Sequence, residues 1–275
     1  MSVLDIPEIQ GSLFCLVLLM YLSTLLGNIL TTLITMVDVA LHSPVYFYLK
    51  NLSFLEIGYT TSTIPKMLVN CLTKWKGISF LGCVKQMYVL SVLGITECCL
   101  LAAMAFDHYV AICHPLRYTT MMSWNMFFLL TAVSWLIGVL VALGQTTSIF
   151  TLPYCGPNRI NHFFCDLPPL LKLASVDTYK NEITTCKTAV LCVTVVSYRK
   201  TLPTCSSHLV VVTLFYESSI VTYLRLKPFY SSSSNKLFSL SHIVMSPTMN
   251  PLIYILRNRE VKQALKRLIA KNINI

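Results

Sequence analysis

From Tyr118 to Asn158 the chain carries no charged residue, and 126–150 within that stretch is almost continuously apolar. A helix needs about 20 mostly apolar residues to cross the hydrocarbon core of a lipid bilayer. Over the whole chain 55% of the residues are hydrophobic and 12% are charged, whereas soluble proteins have about 25% charged residues. So few charged residues cannot cover a water-facing surface, and most of the chain must therefore face lipid.

Apolar runs of similar length recur along the chain and predict an all-α fold, a bundle of seven transmembrane helices. The predicted spans are about 13–37, 45–68, 84–109, 126–150, 183–198, 203–224 and 237–256. The fifth span is marginal, because Lys187 lies inside it and its length covers roughly 24 Å of a hydrocarbon core of about 30 Å. Residues 1–275 are expected to form a single transmembrane domain.

The segment after the last span is basic and is expected to form a short amphipathic helix at 258–269. Its apolar residues recur at helical spacing, which predicts that the helix lies on the membrane surface. They are Val261, Leu265, Leu268 and Ile269. The basic cluster favours a cytoplasmic C-terminus and, across seven spans, an extracellular N-terminus. The other basic residues are scattered between apolar runs, which argues against nucleic-acid binding despite the net charge of +10.

Several short segments carry a recognisable pattern and together cover nearly the whole chain. In order, they are "GN" at 27–28, "LHSPVYFYLKNLSFLE" at 41–56, "IPKML" at 64–68, "MAFDHYVAICHPLRY" at 104–118, "CGPNRINHFFCDLPPLLKLA" at 155–174, "TCSSHLVVV" at 204–212 and "PTMNPLIYILRNREVK" at 247–262. They resemble the odorant receptors, a branch of the rhodopsin-like G-protein-coupled receptors. The resemblance implies a multi-pass plasma membrane protein that binds a small volatile odorant. It also implies a heterotrimeric G protein of the Golf/Gs type, acting through cAMP, as partner.

The resemblance places the ligand site between the upper faces of the third and sixth helices. The third-helix positions, which follow helical spacing, are Met87, Leu90, Ser91, Gly94 and Ile95. The sixth-helix positions are Tyr216, Ser219, Ile220 and Tyr223. Apolar walls with a few hydroxyl groups suit a small volatile molecule better than a charged transmitter. The alternative is that these stripes only pack helix against helix.

A disulfide over the ligand site is also implied by the resemblance. It would join Cys83, at the start of the third helix, to Cys165, in the loop that follows the fourth helix. Family members carry a further cysteine after "KLA", where this chain has Ser175. Cys155 is therefore expected to lack its usual disulfide partner.

Two carboxylates, Glu56 and Glu97, lie near the middle of the second and third spans, where a charge is costly. Two carboxylates in one buried site bind a cation or share a proton, because both cannot stay ionised unaided. The resemblance places them at a sodium site, with Asn28 and Asn250 nearby. We therefore expect a sodium- or proton-linked network that stabilises the resting state, with Na⁺ as its candidate ion and no other cofactor. The alternative is two separately protonated, hydrogen-bonded acids.

The third span ends in Asp107, His108 and Tyr109. The resemblance identifies these residues, with Tyr254 of the seventh span, as the switch that engages the G protein. The family pattern at 107–109 is acid-arginine-tyrosine, and the arginine pairs with the acid at rest. His108 is shorter than arginine and mostly neutral near pH 7. We therefore expect weaker restraint at rest and poorer coupling to the G protein.

Enzyme and channel functions fit the sequence poorly. A metal or hydrolase site at Asp107, His108, Cys113 and His114 lacks the HExxH spacing, and the chain has no nucleophile elbow or glycine-rich phosphate loop. No enzymatic activity is expected. A channel or transporter is a distant third, since the chain shows no internal repeat.

The main alternative is a receptor-like protein whose signalling is impaired, as in a degenerate or pseudogene-like family member. His108 and Ser175 favour this interpretation, as does the shortened fifth span. Against the family pattern, a block of residues is missing between Val190 and Lys200. That block would form the lower part of the fifth helix, which contacts the G protein.

Overall fold

A computed structural model describes residues 7–38, 44–73 and 77–154 and shorter pieces beyond them. The later described residues are 164–165, 167–171, 173–176, 178, 181, 183–184, 247–249, 261–264 and 267. Apart from 183–184 and 247–249, the predicted fifth to seventh spans lie outside the described residues. The predicted site residues that also lie outside them are Tyr216, Ser219, Ile220, Tyr223, Asn250 and Tyr254.

The described part of the chain is helical and contains no strand, which confirms the predicted all-α fold. The long helices are α1 (Pro7–Val37), α2 (Pro44–Leu72), α3 (Phe80–Cys113) and α5 (Trp124–Phe150). Between α3 and α5 lie a 3₁₀ turn (Pro115–Arg117) and the short helix α4 (Tyr118–Met121), and α6 (Leu167–Leu171) follows α5. Each long helix covers one of the first four predicted spans. The count of seven spans stays a prediction.

Among the described residues, three helices are long and apolar enough to cross a membrane. They are Gly11–Val37 within α1, and α3 and α5 over their whole lengths. Helix α2 is long enough but carries Lys50, Glu56 and Lys66. Its central polar residues face the bundle interior, because Glu56 and Thr60 are buried while Phe54, two residues before Glu56 and on the opposite side of the helix, is 63% exposed. The polarity of α2 is therefore hidden from lipid.

In helix α1, too, polar side chains are buried and apolar side chains are exposed. Its exposed side chains recur at helical spacing and are apolar: Leu16, Leu19, Leu22, Leu26, Ile29, Leu33 and Met36. Its buried side includes the polar residues Thr24, Asn28, Thr31 and Thr35. A soluble helix has the opposite pattern, with its polar side in water. This pattern indicates that lipid surrounds the bundle and that the exposed apolar side chains of α1 contact it.

The buried hydroxyl groups are satisfied largely within their own helices. Thr31 donates to the carbonyl of Gly27, Thr60 to that of Glu56 and Ser134 to that of Leu130, each at 2.8 Å. Such a bond to the carbonyl four residues earlier lets a hydroxyl enter an apolar bundle without a partner on another helix. The threonines bonded in this way add polarity to the interior at little cost, whereas the buried hydroxyls of Thr96, Thr131 and Thr146 have no partner among the described residues.

Helices α3 and α5 approach each other closely at Gly138. A Cβ atom on Gly138 would clash with the Thr96 Oγ1 atom and lie 3.0 Å from the carbonyl oxygen of Val92. The neighbouring buried residues of α5 are also small: Thr131, Ser134 and Ala142. Small residues let two helix backbones pack tightly in a membrane, where no hydrophobic effect drives helices together. The contact fixes α3 against α5 at its middle.

The C-terminal segment lies against the end of α1. Arg267 forms an ion pair with Asp38, with 2.7 Å between Nη2 and Oδ2. Residues 261–264 are helical, as predicted for 258–269. Val261 was expected on the lipid-facing side of that helix, but Val261 and Ala264 are fully buried. Val261 and Ala264 therefore pack inside the protein and do not face lipid, and the ion pair further along the segment joins it to the end of α1.

Candidate functional site

The disulfide predicted from the family resemblance is present. Cys83 lies in the first turn of α3, whose N-terminus is capped by Ser79, which accepts a hydrogen bond from the backbone N–H of Gly82. Cys83 is bonded to Cys165, with 5.4 Å between the two Cα atoms. The bridge ties the segment at 164–171, which is described except for residue 166, to the start of α3. We call this region the disulfide end of the bundle.

The 164–171 segment packs onto the helices on both sides of the disulfide. Phe164 joins a buried cluster with Val17 of α1 and Ile64 of α2, and Leu90 of α3 packs against that cluster. On the other side, α6 joins a cluster that contains Met87 of α3 and Ile149 of α5. The segment therefore covers the ends of all four long helices.

The predicted ligand residues of α3 fall into two groups. Met87 is buried in the cluster beneath α6, and Leu90 packs near Phe164. Ser91, Gly94 and Ile95 lie deeper along α3 and are half-buried. No described residue comes within 4 Å of the point where a Cβ atom on Gly94 would lie. Met87 and Leu90 thus support the 164–171 segment, and the other three remain candidates for direct ligand contact.

The carboxyl groups of Glu56 and Glu97 meet in the interior of the bundle. Their residues are 2% and 4% exposed, and their side chains are joined by a hydrogen bond. A hydrogen bond between two carboxyl groups requires a proton on one of them, because an ionised carboxylate only accepts. Two carboxyl groups this close would need either a shared proton or a cation between them.

The groups around Glu56 and Glu97 provide part of a site for Na⁺. The Oε1 atom of Glu97 is buried and has no hydrogen-bond partner among the described residues, so it is the oxygen left for a cation. Asn28 is buried, but its amide donates to the Thr24 carbonyl at 3.0 Å, within α1. Among the described residues no group of three or more His, Cys, Asp or Glu residues is placed to hold a metal. The carboxyl pair therefore fits a shared proton, with one oxygen that a sodium ion would use.

At the opposite end of α3, which we call the Asp107 end (107–122), the buried Asp107 accepts a hydrogen bond from a tyrosine. Tyr118 donates from its hydroxyl to Oδ1 of Asp107 at 2.9 Å. The turn that begins at Pro115 reverses the chain and brings Tyr118, the first residue of α4, back against α3. Burial, and then the bond to Asp107, raises the pKa of Tyr118, so its hydroxyl remains a donor at neutral pH.

Other residues at the Asp107 end differ in exposure. His108 is half-buried and Tyr109 is 37% exposed. Leu116, in the 3₁₀ turn, is 98% exposed. The ring of Tyr48 is fully buried and packs on Phe127, with 5.4 Å between ring centroids.

Sequence reasoning missed two residues at this end. Tyr118 is the last residue of the segment quoted at 104–118, and its position after a proline turn was the available signal. Tyr48 has a fully buried hydroxyl without a hydrogen-bond partner among the described residues, and it lies in one buried cluster with Val110 at the end of α3. No pattern in the sequence distinguishes Tyr48 from the other aromatic residues of its segment.

Comparison with known proteins gives a consistent result. The chain matches the sequence profile described as olfactory receptor over residues 14–198 and 185–272. It is 48% identical to olfactory receptor 10A4 of Homo sapiens, over 97% of this chain and 91% of that protein. It is 47% identical to olfactory receptor 10A2 of Homo sapiens, over 98% of this chain and 97% of that protein. The two profile matches overlap at 185–198, within the predicted fifth span.

A solved structure supports the fold. The crystal structure of squid rhodopsin superposes with a TM-score of 0.77, covering 98% of this chain and 87% of that chain. The sequence identity is 16%, so this likeness concerns the fold alone. The described helices thus belong to a rhodopsin-like arrangement.

Proposed function

Because this chain belongs to the olfactory receptor family of G-protein-coupled receptors, we propose that it binds a small volatile odorant and activates a heterotrimeric G protein. Members of this family are multi-pass membrane proteins of the cell surface, and they are receptors and not enzymes. The finer proposal is a G protein of the Golf/Gs type that raises cAMP. The N-terminus is proposed to be extracellular and the C-terminus cytoplasmic, which puts the disulfide end outside the cell.

The observation that carries the proposal is that one helix, α3, connects both candidate sites. It runs without interruption from Cys83 at the disulfide end to Asp107 at the other. At 1.5 Å per residue these two positions lie roughly 36 Å apart, about the thickness of a bilayer. A ligand that shifts α3 beneath the 164–171 segment would therefore act on the hydrogen bond between Asp107 and Tyr118.

The proposed ligand site lies below the 164–171 segment. Ser91, Gly94 and Ile95 of α3 would form one wall, and Tyr216, Ser219, Ile220 and Tyr223 of the predicted sixth span the other. The half-buried state of the three α3 residues supports this placement, because a wall of a closed pocket is shielded from solvent but not packed against protein.

The Glu56–Glu97 pair is proposed to stabilise the resting state. A shared proton, or a Na⁺ ion held by the two carboxylates together with Asn28 and Asn250, would tie α2 to α3. When bound, the ion would supply a positive charge that lets both acids ionise. A movement of α3 on ligand binding would separate the two carboxyl groups.

At the Asp107 end, Tyr118 and Leu116 support the proposed contact with a G protein. Leu116 offers an almost fully exposed apolar side chain next to a hydrogen bond that can be broken. Asp107, His108, Tyr109 and Tyr254 are the proposed switch residues.

A second candidate function is that of a receptor-like protein with impaired signalling. The observation that favours it is that Asp107 is bonded to Tyr118, whereas His108 supplies no fixed positive charge at the position where the family has arginine. Among the described residues, the hydrogen bond given to Asp107 is then the one from the neutral Tyr118, without the charged arginine of the family pattern.

Cell-surface staining followed by a cAMP assay separates the two candidates. Cells that express the chain with Golf are exposed to a panel of straight-chain aliphatic aldehydes and alcohols, in parallel with His108→Arg. A working receptor gives a cAMP response that His108→Arg increases. A response only in His108→Arg identifies an impaired receptor. No response from either protein at normal surface density, with basal cAMP unchanged, would contradict the proposed coupling.

A further inference from the structure

Gln86 links three separate segments at the disulfide end. It lies one helical turn after Cys83 in α3 and is 8% exposed. Its side-chain nitrogen donates to the carbonyl oxygen of Ser62 in α2 at 2.9 Å. Its side-chain oxygen accepts a hydrogen bond from the backbone N–H of Cys165 at 3.0 Å. One amide group thereby joins α2, α3 and the 164–171 segment.

The bond to α2 uses a carbonyl in a weakened turn. Pro65 lies inside α2 and has no N–H, so it cannot donate to the carbonyl of Thr61 four residues earlier. The helical ladder loses one hydrogen bond at this turn. The next carbonyl, that of Ser62, has a second lone pair that can accept a hydrogen bond from outside the helix. Gln86 donates to it, and this bond joins α3 to α2 in the turn that the proline weakens.

The bond to Cys165 satisfies a backbone N–H group that cannot reach water. Cys165 is 2% exposed, and a buried backbone N–H without a partner is costly. The disulfide fixes the distance of Cys165 from α3 but leaves rotation about the Cys83 side chain. The hydrogen bond to Gln86 adds a second point of attachment one turn further along α3, and two points define an orientation.

We propose that Gln86 is a positioning residue that sets the orientation of the 164–171 segment over the bundle. With this orientation, Phe164 packs toward α1 and α2, and α6 packs toward α5. The role in orienting the segment holds whether or not the chain signals. Its consequence for odorant selectivity rests on the proposed function, because the segment then forms the roof of the odorant site.

The test is the rate at which the Cys83–Cys165 disulfide is reduced. Free thiols on surface-expressed protein are first blocked with N-ethylmaleimide, and tris(2-carboxyethyl)phosphine is then added for increasing times. New thiols are counted by the gel shift that a polyethylene glycol maleimide produces. Gln86→Leu removes both hydrogen bonds and leaves the buried N–H of Cys165 without an acceptor. We therefore expect the disulfide to be reduced about tenfold faster than in the unchanged chain.

Two variants control the measurement. Lys85→Leu introduces the same residue at the neighbouring exposed position and should reduce at the unchanged rate. Gln86→Glu keeps an oxygen that accepts from Cys165 and should retain most of the protection. If Gln86→Leu stays inside the cell, the same assay is run on microsomes opened with digitonin, where the lumenal disulfide has already formed. Equal rates for Gln86→Leu, Lys85→Leu and the unchanged chain would overturn the proposal.

A second readout connects the segment to ligand binding. If an odorant of the aldehyde and alcohol panel activates the chain, Gln86→Leu should raise the half-maximal concentration while leaving the maximal cAMP response unchanged, and Gln86→Glu should restore it. The reduction assay needs no odorant and no G protein. A failure of the proposed receptor function therefore leaves the reduction result standing, and an unchanged reduction rate rejects the role of Gln86 even in a working receptor.

Discussion

The two ends of α3 are held by different kinds of interaction. At the disulfide end a covalent bond, the Gln86 hydrogen bonds and two apolar clusters hold the 164–171 segment. At the Asp107 end no disulfide joins the described part of the turn to α3. The turn is held by the hydrogen bond from Tyr118 and by the packing of Met122 against Val110 in one buried cluster, and the neighbouring Leu116 is exposed. The difference indicates one end that keeps its shape and one end that can be released. A receptor that closes over a ligand and opens toward a protein partner needs this asymmetry.

The largest effect is expected from breaking the fixed end. Cys83→Ser opens a loop with a sequence separation of 82 residues and should destabilise the protein by about 4 kcal/mol, since the unfolded chain regains its loop-closure entropy. Surface staining and the thermal stability of detergent-solubilised protein measure this loss. Cys15→Ser removes an exposed free cysteine and serves as control. Equal surface density for the two variants would show that the disulfide does not hold this end.

The next largest effect is expected at the close contact between α3 and α5, which lies between the two ends of α3. Gly138→Ala places a Cβ atom against Thr96 and the Val92 carbonyl and should cost about 1–3 kcal/mol, because the two helices must separate. Gly144→Ala is the matched control on the same helix, since a Cβ atom there meets no described residue within 4 Å. Thermal unfolding of both variants gives the comparison. A Gly138→Ala protein as stable as Gly144→Ala would contradict the close approach of α3 and α5.

A smaller effect is expected from releasing the Asp107 end. Tyr118→Phe removes the hydroxyl that donates to Asp107 and should cost about 0.5–1.5 kcal/mol, the usual net value for one hydrogen bond. Basal cAMP should rise, because the restraint at rest is lost. A double-mutant cycle with Asp107→Ala, which removes the acceptor, isolates the pair. Additive effects of the two substitutions would mean that the bond contributes nothing at rest.

The smallest effect is expected at the C-terminal segment. Arg267 is largely exposed, and an exposed ion pair stabilises a protein by less than about 1 kcal/mol. Arg267→Ala should therefore lower thermal stability slightly, and the difference should shrink at high salt. Lys262→Ala, at an exposed position of the same segment, is the control. A large, salt-independent loss in Arg267→Ala would mean that the ion pair, and not the buried Val261 and Ala264, holds the segment in place.

Much of the fold was predictable because a helix that crosses lipid needs about 20 mostly apolar residues in a row. Long apolar runs predicted α1, α3 and α5, and the helices extend beyond the predicted spans by a few residues at several ends because polar terminal turns continue the helix outside lipid. Helix α2 shows where the rule is incomplete. Glu56 and Thr60 lower its apolarity, yet they face the interior, and a sequence does not state which side of a helix meets lipid.

The site was predictable where a family pattern marks a residue and unpredictable where geometry alone creates a contact. Cys83 and Cys165 were identified through the family resemblance. The bonds of Gln86 and Tyr118 depend on how α2, α3 and the connecting segments lie in space, and isolated polar residues in apolar runs do not reveal their partners. Helical spacing placed Met87 on the predicted ligand face, but the spacing could not indicate that Met87 also packs in the cluster beneath α6.

Hydrogen–deuterium exchange of the protein in lipid nanodiscs tests the asymmetry of α3 most directly. Peptides that cover 164–171 and 110–122 are compared before and after a nucleotide-free Gs-type heterotrimer is added. The account predicts slow exchange at 164–171 that the G protein leaves unchanged, and faster exchange at 110–122 that changes when the G protein binds. Faster exchange at 164–171 than at 110–122, or a G-protein effect confined to 164–171, would contradict a fixed disulfide end and a releasable Asp107 end.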